Sequence, residues 1–132
     1  MAGSRAVGTG CTFLSVAKAL KAANPATVCV AVEPEGSEPL AQKAIVKSRH
    51  IVQGIGYGLM PPHWDPAFMD LSLTVTDAEV EHWHRQLAVK EGLYVGYSAA
   101  ANVCAAAKLL GSGRIKADAT VATILCETGM KY

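Results

Sequence analysis

Apolar residues at Phe13, Val16, Ala17, Leu20 and Ala23 recur at three- and four-residue intervals. That spacing puts them on one face of a helix and predicts a helix over 12–23. Asn24-Pro25 stops it, because proline cannot continue the hydrogen-bond ladder. From Thr27 to Val32 the pattern becomes a near-continuous β-branched run, which predicts a strand buried on both faces of a parallel sheet. Residues 4–7 read as the tail of an earlier strand. Glu33 to Ser37 reads as a loop and Leu40 to Lys47 as a short helix. Glycines and prolines dominate from Ile51 to Pro66 and predict an irregular loop, a length usually tied to function or motion. Leu71 to Val75 alternates like a strand. Thr76-Asp77-Ala78-Glu79 fits a capping box, opening a helix to about Glu91 that Gly92 ends. Leu93 to Val95 reads as a short strand. Ala99 to Leu110 reads as a helix of small residues suited to close packing, ended by Gly111-Ser112-Gly113. Thr120 to Leu125 reads as another buried strand. Strands alternating with helices predict an α/β fold with a mainly parallel sheet flanked by helices. The 132 residues allow one such domain.

Composition adds little to that picture and removes several alternatives. The net charge is +1, so nothing favours nucleic acid or an anionic membrane. No apolar stretch approaches transmembrane length. Cys11, Cys29, Cys104 and Cys126 form no CxxC and match no zinc spacing. Three of them sit in apolar runs, where cysteine acts as a small hydrophobe. A reducing, cytoplasmic location is the expectation. The four histidines form no metal pattern: His82 and His84 are two apart on a helix, His50 stands beside Arg49 and His63 in a proline-rich stretch, and all four are read as surface or rim residues. Metal binding is not expected. Trp64 and Trp83 are read as packing anchors, and the charged face of the 77–91 helix as a solvated one.

The densest candidate chemistry is Gly8-Thr9-Gly10-Cys11-Thr12, a glycine-rich loop running straight into the first long helix. A helix start offers unpaired N–H groups and the positive end of the dipole. Glycines let that backbone close around an anion, and threonine hydroxyls add donors. No lysine follows in the GK[ST] pattern, and Phe13 stands where a dinucleotide fold has its third glycine. A tight turn without any ligand is the competing reading.

Three later segments follow the loop in order: Gln53-Gly54-Ile55-Gly56, Glu91-Gly92-Leu93-Tyr94-Val95-Gly96-Tyr97-Ser98, and Glu127-Thr128-Gly129-Met130-Lys131-Tyr132. Together they resemble the C-terminal part of the cysteine synthase and cystathionine β-synthase family, the fold type II enzymes that use pyridoxal phosphate. That family has a GTGGT phosphate loop, then QGIG, EG…VGIS and SGERY-like segments. The resemblance runs over essentially the whole chain. It implies an incomplete large domain of the fold type II class, with residues 1–132 as a single phosphate-binding unit. It also implies that Gly8, Thr9, Gly10, Cys11 and Thr12 hold the phosphate of the cofactor, and that Ser98 meets its pyridine nitrogen. Thr128 matches the serine near the ring, and Gly54, Ile55 and Gly56 line the substrate side.

The sequence departs from the family at several of these positions. Cys11 replaces a glycine, which is expected to narrow the cup or to keep the backbone φ negative there. It also puts a thiol at a helix start, where a redox-sensitive site competes with the simpler reading of a tolerated small residue. Ala99-Ala100 replaces Ser-Gly, and Met130-Lys131 replaces Glu-Arg, which leans toward a divergent member. Without the resemblance, Ser98 would be a helix N-cap.

In the family, the lysine that forms the Schiff base lies well upstream of the phosphate loop, as does the loop that binds the substrate carboxylate. Neither can be placed here, so no catalytic residue is assigned and the isolated chain is expected to be inactive. The parent activity implied is β-replacement on serine or O-acetylserine by a sulfur nucleophile, a lyase or transferase of cysteine biosynthesis. Serine/threonine dehydratase and threonine synthase-like lyases are the near alternatives. A non-catalytic fragment that binds a phosphate ligand or a partner protein is another. A generic α/β module, indifferent to Thr9→Val, is the last. Self-association or a homodimer is expected from surface that the rest of the family's fold would cover.

Overall fold

The computed structural model describes residues 2–8, 10–42, 50–52 and 59–131. Among the described residues, four parallel strands form one sheet: β1 (Ala2–Ala6), β2 (Val28–Pro34), β3 (Leu71–Val75) and β4 (Val121–Thr123), in the order β3-β2-β1-β4. Helix α1 (Cys11–Ala23) joins β1 to β2, while α2 (Asp77–Glu91) and α3 (Tyr97–Gly111) lie between β3 and β4. The register pairs Ala2 with Val28 on one side and with Val121 on the other.

The alternation of β2 builds both halves of the core. Cys29 and Ala31 join Phe13, Leu14 and Ala17 of α1. Val32 joins Val75, Val80, Ala101 and Cys104 between the sheet and α2/α3, and Val30 meets Leu109. Val30, Ala31 and Val32 are all 0% exposed, as a central strand covered on both faces requires. The alanines of α3 serve the same end: Ala99, Ala100, Ala101 and Ala105 are fully buried and let this helix lie close against the sheet and α2. Burial pushes the Cys104 thiol up to about 11 and raises that of Cys29, so both pack as hydrophobes.

The α2 capping box is present as the sequence predicts. Thr76 Oγ1 accepts from the Glu79 N–H at 3.1 Å, Glu79 Oε2 accepts from the Thr76 N–H at 2.8 Å, and Gly92 ends the helix at φ 68°. Four expectations need correction. β2 continues through Glu33 and Pro34 rather than yielding to a loop at Glu33. The buried Glu33 carboxylate accepts from the N–H groups of Leu40 and Ala41, fastening the following turn back onto the strand. Leu93–Val95 is not a strand: only Val95 pairs, in a single bridge to Thr128. β4 holds three residues rather than six and is partly exposed, because it is an edge strand of the sheet. Helix α3 starts two residues earlier than expected, at Tyr97. Most of the expected Leu40–Lys47 helix lies outside the described residues.

Candidate functional site

All strands are parallel and α3 precedes β4, so α3 runs back from the carboxyl end of the sheet. The loop leaving β1, the first turn of α3 and the segment leaving β4 therefore share that end, where open α/β sheets bind ligands.

The loop leaving β1 turns at Gly10. Its φ of 88° is in the left-handed region, which glycine adopts without steric cost. A Cβ there would stand 3.3 Å from Trp64 Cε3 and 3.4 Å from Pro61 Cβ, and Trp64 is itself packed on Phe13 with ring centroids 5.2 Å apart. Gly10 is the N-cap of α1. It makes no side-chain cap, and the first turn contains no acidic residue. The positive end of the helix is thus not offset by a carboxylate of its own first turn. Cys11 and Thr12 are the first two helical residues, both exposed. The positive φ falls on Gly10 rather than Cys11, so the thiol stands on the helix surface and leaves the turn itself unaltered. Gly8 is half-buried, and Thr9 lies outside the described residues.

The first turn of α3 is anchored differently. Gly96, not Ser98, is the N-cap, and Ser98 is the second helical residue, 9% exposed. The N-cap reading of Ser98 is therefore set aside. The segment carrying it is tied to the one carrying Thr128. The Gly96 N–H donates to the Glu127 carbonyl at 3.2 Å and the Gly129 N–H to the Tyr94 carbonyl at 3.0 Å. Both glycines are required by this approach. A Cβ on Gly96 would meet Glu127 Cγ at 2.5 Å, and one on Gly129 would meet the Val95 carbonyl oxygen at 2.7 Å. Glu127 itself is held at φ 52°, a conformation that costs a non-glycine residue energy and persists only where its surroundings enforce it. Lys131 pairs with its carboxylate at 3.5 Å. Thr128 is exposed, and its Oγ1 accepts from the Met130 N–H at 3.3 Å. Ser98 and Thr128 thus belong to one bridged corner. Gly54, Ile55 and Gly56 lie outside the described residues.

Two residues of this corner carried no flag in the sequence. The ring of His84 on α2 lies 4.8 Å from that of Tyr97 and 5.7 Å from that of Tyr94, bracketing the turn into α3. It is half-buried rather than a surface residue. Asn102, one turn beyond Ser98, is 0% exposed. A lone amide in an alanine-rich helix, four residues from Ser98, was the available signal. Among the described residues no three of His, Cys, Asp and Glu are grouped to hold a metal ion, and no helix is long and apolar enough to cross a membrane.

Residues 5–127 match the family described as pyridoxal-phosphate dependent enzyme. Cysteine synthase A of Escherichia coli (strain K12) is 33% identical over 132 residues, an alignment that takes in 96% of this chain and 41% of the relative. The O-acetylserine dependent cystathionine β-synthase from Helicobacter pylori superposes with a TM-score of 0.85 at 32% identity, over 100% of this chain and 42% of that one. O-ureido-L-serine synthase superposes with a TM-score of 0.89 at 27% identity, over 99% of this chain and 40% of the other. The chain spans about two fifths of the length of the relatives it matches.

Proposed function

The chain belongs to the pyridoxal-phosphate dependent enzymes, in their cysteine synthase-like, fold type II branch, and from that premise we propose that it forms the cofactor-cradling part of a β-replacement enzyme. The reaction exchanges the β-substituent of serine or O-acetylserine for a sulfur nucleophile, giving cysteine or cystathionine. The observation that carries this reading is the uncapped start of α1 behind Gly10, set at the same end of the sheet as the buried Ser98 hydroxyl.

The donor set fits a phosphate-bearing cofactor. Backbone N–H groups at Gly8, Thr9, Gly10, Cys11 and Thr12 would hold the phosphate, with the threonine hydroxyls as further donors. Ser98 would donate its hydroxyl hydrogen to the pyridine nitrogen, with Thr128 supporting it from across the bridge. An alcohol is too weak an acid to pass that proton on, so the nitrogen would stay neutral. When bound, pyridoxal phosphate supplies an electron sink, and a neutral ring suits reactions whose leaving group departs with the electron pair. Gly54, Ile55 and Gly56 are assigned to the substrate side. Turnover belongs to the whole enzyme, and none of this chain's lysines is given a role in it.

Pyridoxamine 5′-phosphate tests the reading, because it lacks the aldehyde that would couple to surface lysines. Calorimetric titration of the chain is expected to show saturable binding, tighter than that of inorganic phosphate. Ser98→Ala is expected to cost about tenfold in affinity for the cofactor analogue, the worth of one buried hydrogen bond, and nothing for phosphate. Flat titrations with both ligands refute the assignment.

A further inference from the structure

Asn102 sits where α3, β1 and the segment leaving β4 come together. Its Nδ2 donates to the Ile124 carbonyl at 2.8 Å and lies 3.8 Å from Cys126 Sγ. Its own carbonyl lies 3.4 Å from Ser4 Oγ on β1. Ser4 Oγ is also 3.3 Å from Thr123 Oγ1, which in turn donates to the Ser4 carbonyl at 2.8 Å. The Asn102 side chain is fully buried, so a lost partner is not replaced by water at its amide and is costly. Residues 98 and 102 are four apart and share one face of α3. The chain leaving β4 is therefore gripped twice from that side: by the Asn102 amide at Ile124, and by the backbone bridge at Glu127–Gly129.

We propose that Asn102 is a positioning residue of the cofactor site: its side-chain amide sets the register of the 124–128 segment against α3 and so fixes Thr128 relative to Ser98. This rests on the assignment of those two residues to the pyridine nitrogen. Asn102 itself touches no ligand. The contact with Ser4 on β1 uses the Asn102 backbone carbonyl, which a side-chain substitution retains.

Asn102→Leu removes the donor while keeping the branching of the side chain, and separates the two ends of the site. Amide hydrogen exchange by NMR is expected to show protection at Gly96 and Gly129 falling about tenfold, with amides of α1 and α2 unchanged. Affinity for inorganic phosphate is expected to stay within about twofold, while the extra affinity for pyridoxamine 5′-phosphate is lost. Equal loss for both ligands, with protection falling across α1 and α2, would make the residue a general support and overturn the inference. Unchanged protection at Gly129 would overturn it as well, whatever the ligands do. If the unsubstituted chain binds pyridoxamine 5′-phosphate no better than phosphate, the cofactor reading fails and takes this role with it. A fall in Gly129 protection in the same variant marks that outcome as a failure of the ligand assignment rather than of the register.

Discussion

Cys11 occupies the first position of a helix whose opening turn has no acidic residue. That is unusual enough to test by supplying one. Cys11→Asp puts a carboxylate at the positive end of the dipole, which stabilises a helix by about 0.3–1 kcal/mol, and the same charge repels an incoming phosphate. The expected outcome is opposite in sign for the two measurements: a higher Tm in phosphate-free buffer by scanning calorimetry, and phosphate affinity reduced about tenfold or more in titration. Undiminished affinity would mean that the anion does not sit at this helix start. Residue by residue, the sequence was legible where backbone geometry dictates the residue type, as at Gly10, whose left-handed φ admits little else. Ser98 was legible only through the family resemblance, since a serine near a helix start reads first as a cap. His84 and Asn102 were not legible, because their importance comes from partners on other elements.

At the scale of elements, α2 shows why local signals succeed. The capping box is complete within four residues, so its sequence determines its geometry. Its Glu79 also reaches outward: Lys108 Nζ on α3 lies 2.7 Å from Glu79 Oε2 and donates to the Thr74 carbonyl at 2.8 Å. Partial burial pushes the Glu79 carboxyl up, but the bonds from Lys108 and Thr76 outweigh it and leave its pKa below the ordinary 4.5. A depressed folded value means the stabilisation is complete above the unfolded value and is lost as pH falls through the folded one. Lys108→Met should therefore lower the urea midpoint at neutral pH, with the gap to the unsubstituted chain narrowing as pH falls below the ordinary 4.5 and through the lowered folded value. A gap independent of pH would remove the ionic part of this argument. Glu33 has the opposite sign. Burial raises its pKa against the pull of the Leu40 and Ala41 N–H groups, so its contribution is present at low pH and declines as pH rises through the folded value. The elements misread from sequence, Leu93–Val95 and the outer part of Thr120–Leu125, are those whose pairing depends on distant chain. Nothing in LYV or TVATIL states whether a partner strand lies on one side, on both, or at a single residue.

For the whole molecule, the edge strand β4 marks an exposed flank. An apolar pocket of about 110 Å³ lies between α1 and β4, lined by Val16, Ala17, Leu20 and Ala122 among others. Val16 and Ile124, which line it, are 44% and 40% exposed. An unpaired strand edge beside apolar surface favours association. Sedimentation equilibrium is expected to find species heavier than one chain, and Val16→Glu to return them toward the monomer. A single monomeric species in the unsubstituted chain would contradict this. The strand order β3-β2-β1-β4 has a separate consequence. The two strands of the earlier chain sit side by side in the middle, and the two of the later chain flank them without touching each other. The later half thus has no sheet of its own to form: each of its strands exists only as a neighbour of the earlier half. The halves hold each other like a clasp around a bar, and the strands of the later half have their sheet neighbours only in the earlier one. Since the earlier half furnishes the glycine turn and the later half furnishes Ser98 and Thr128, the proposed cofactor would bridge the clasp and bear on both of its arms at once.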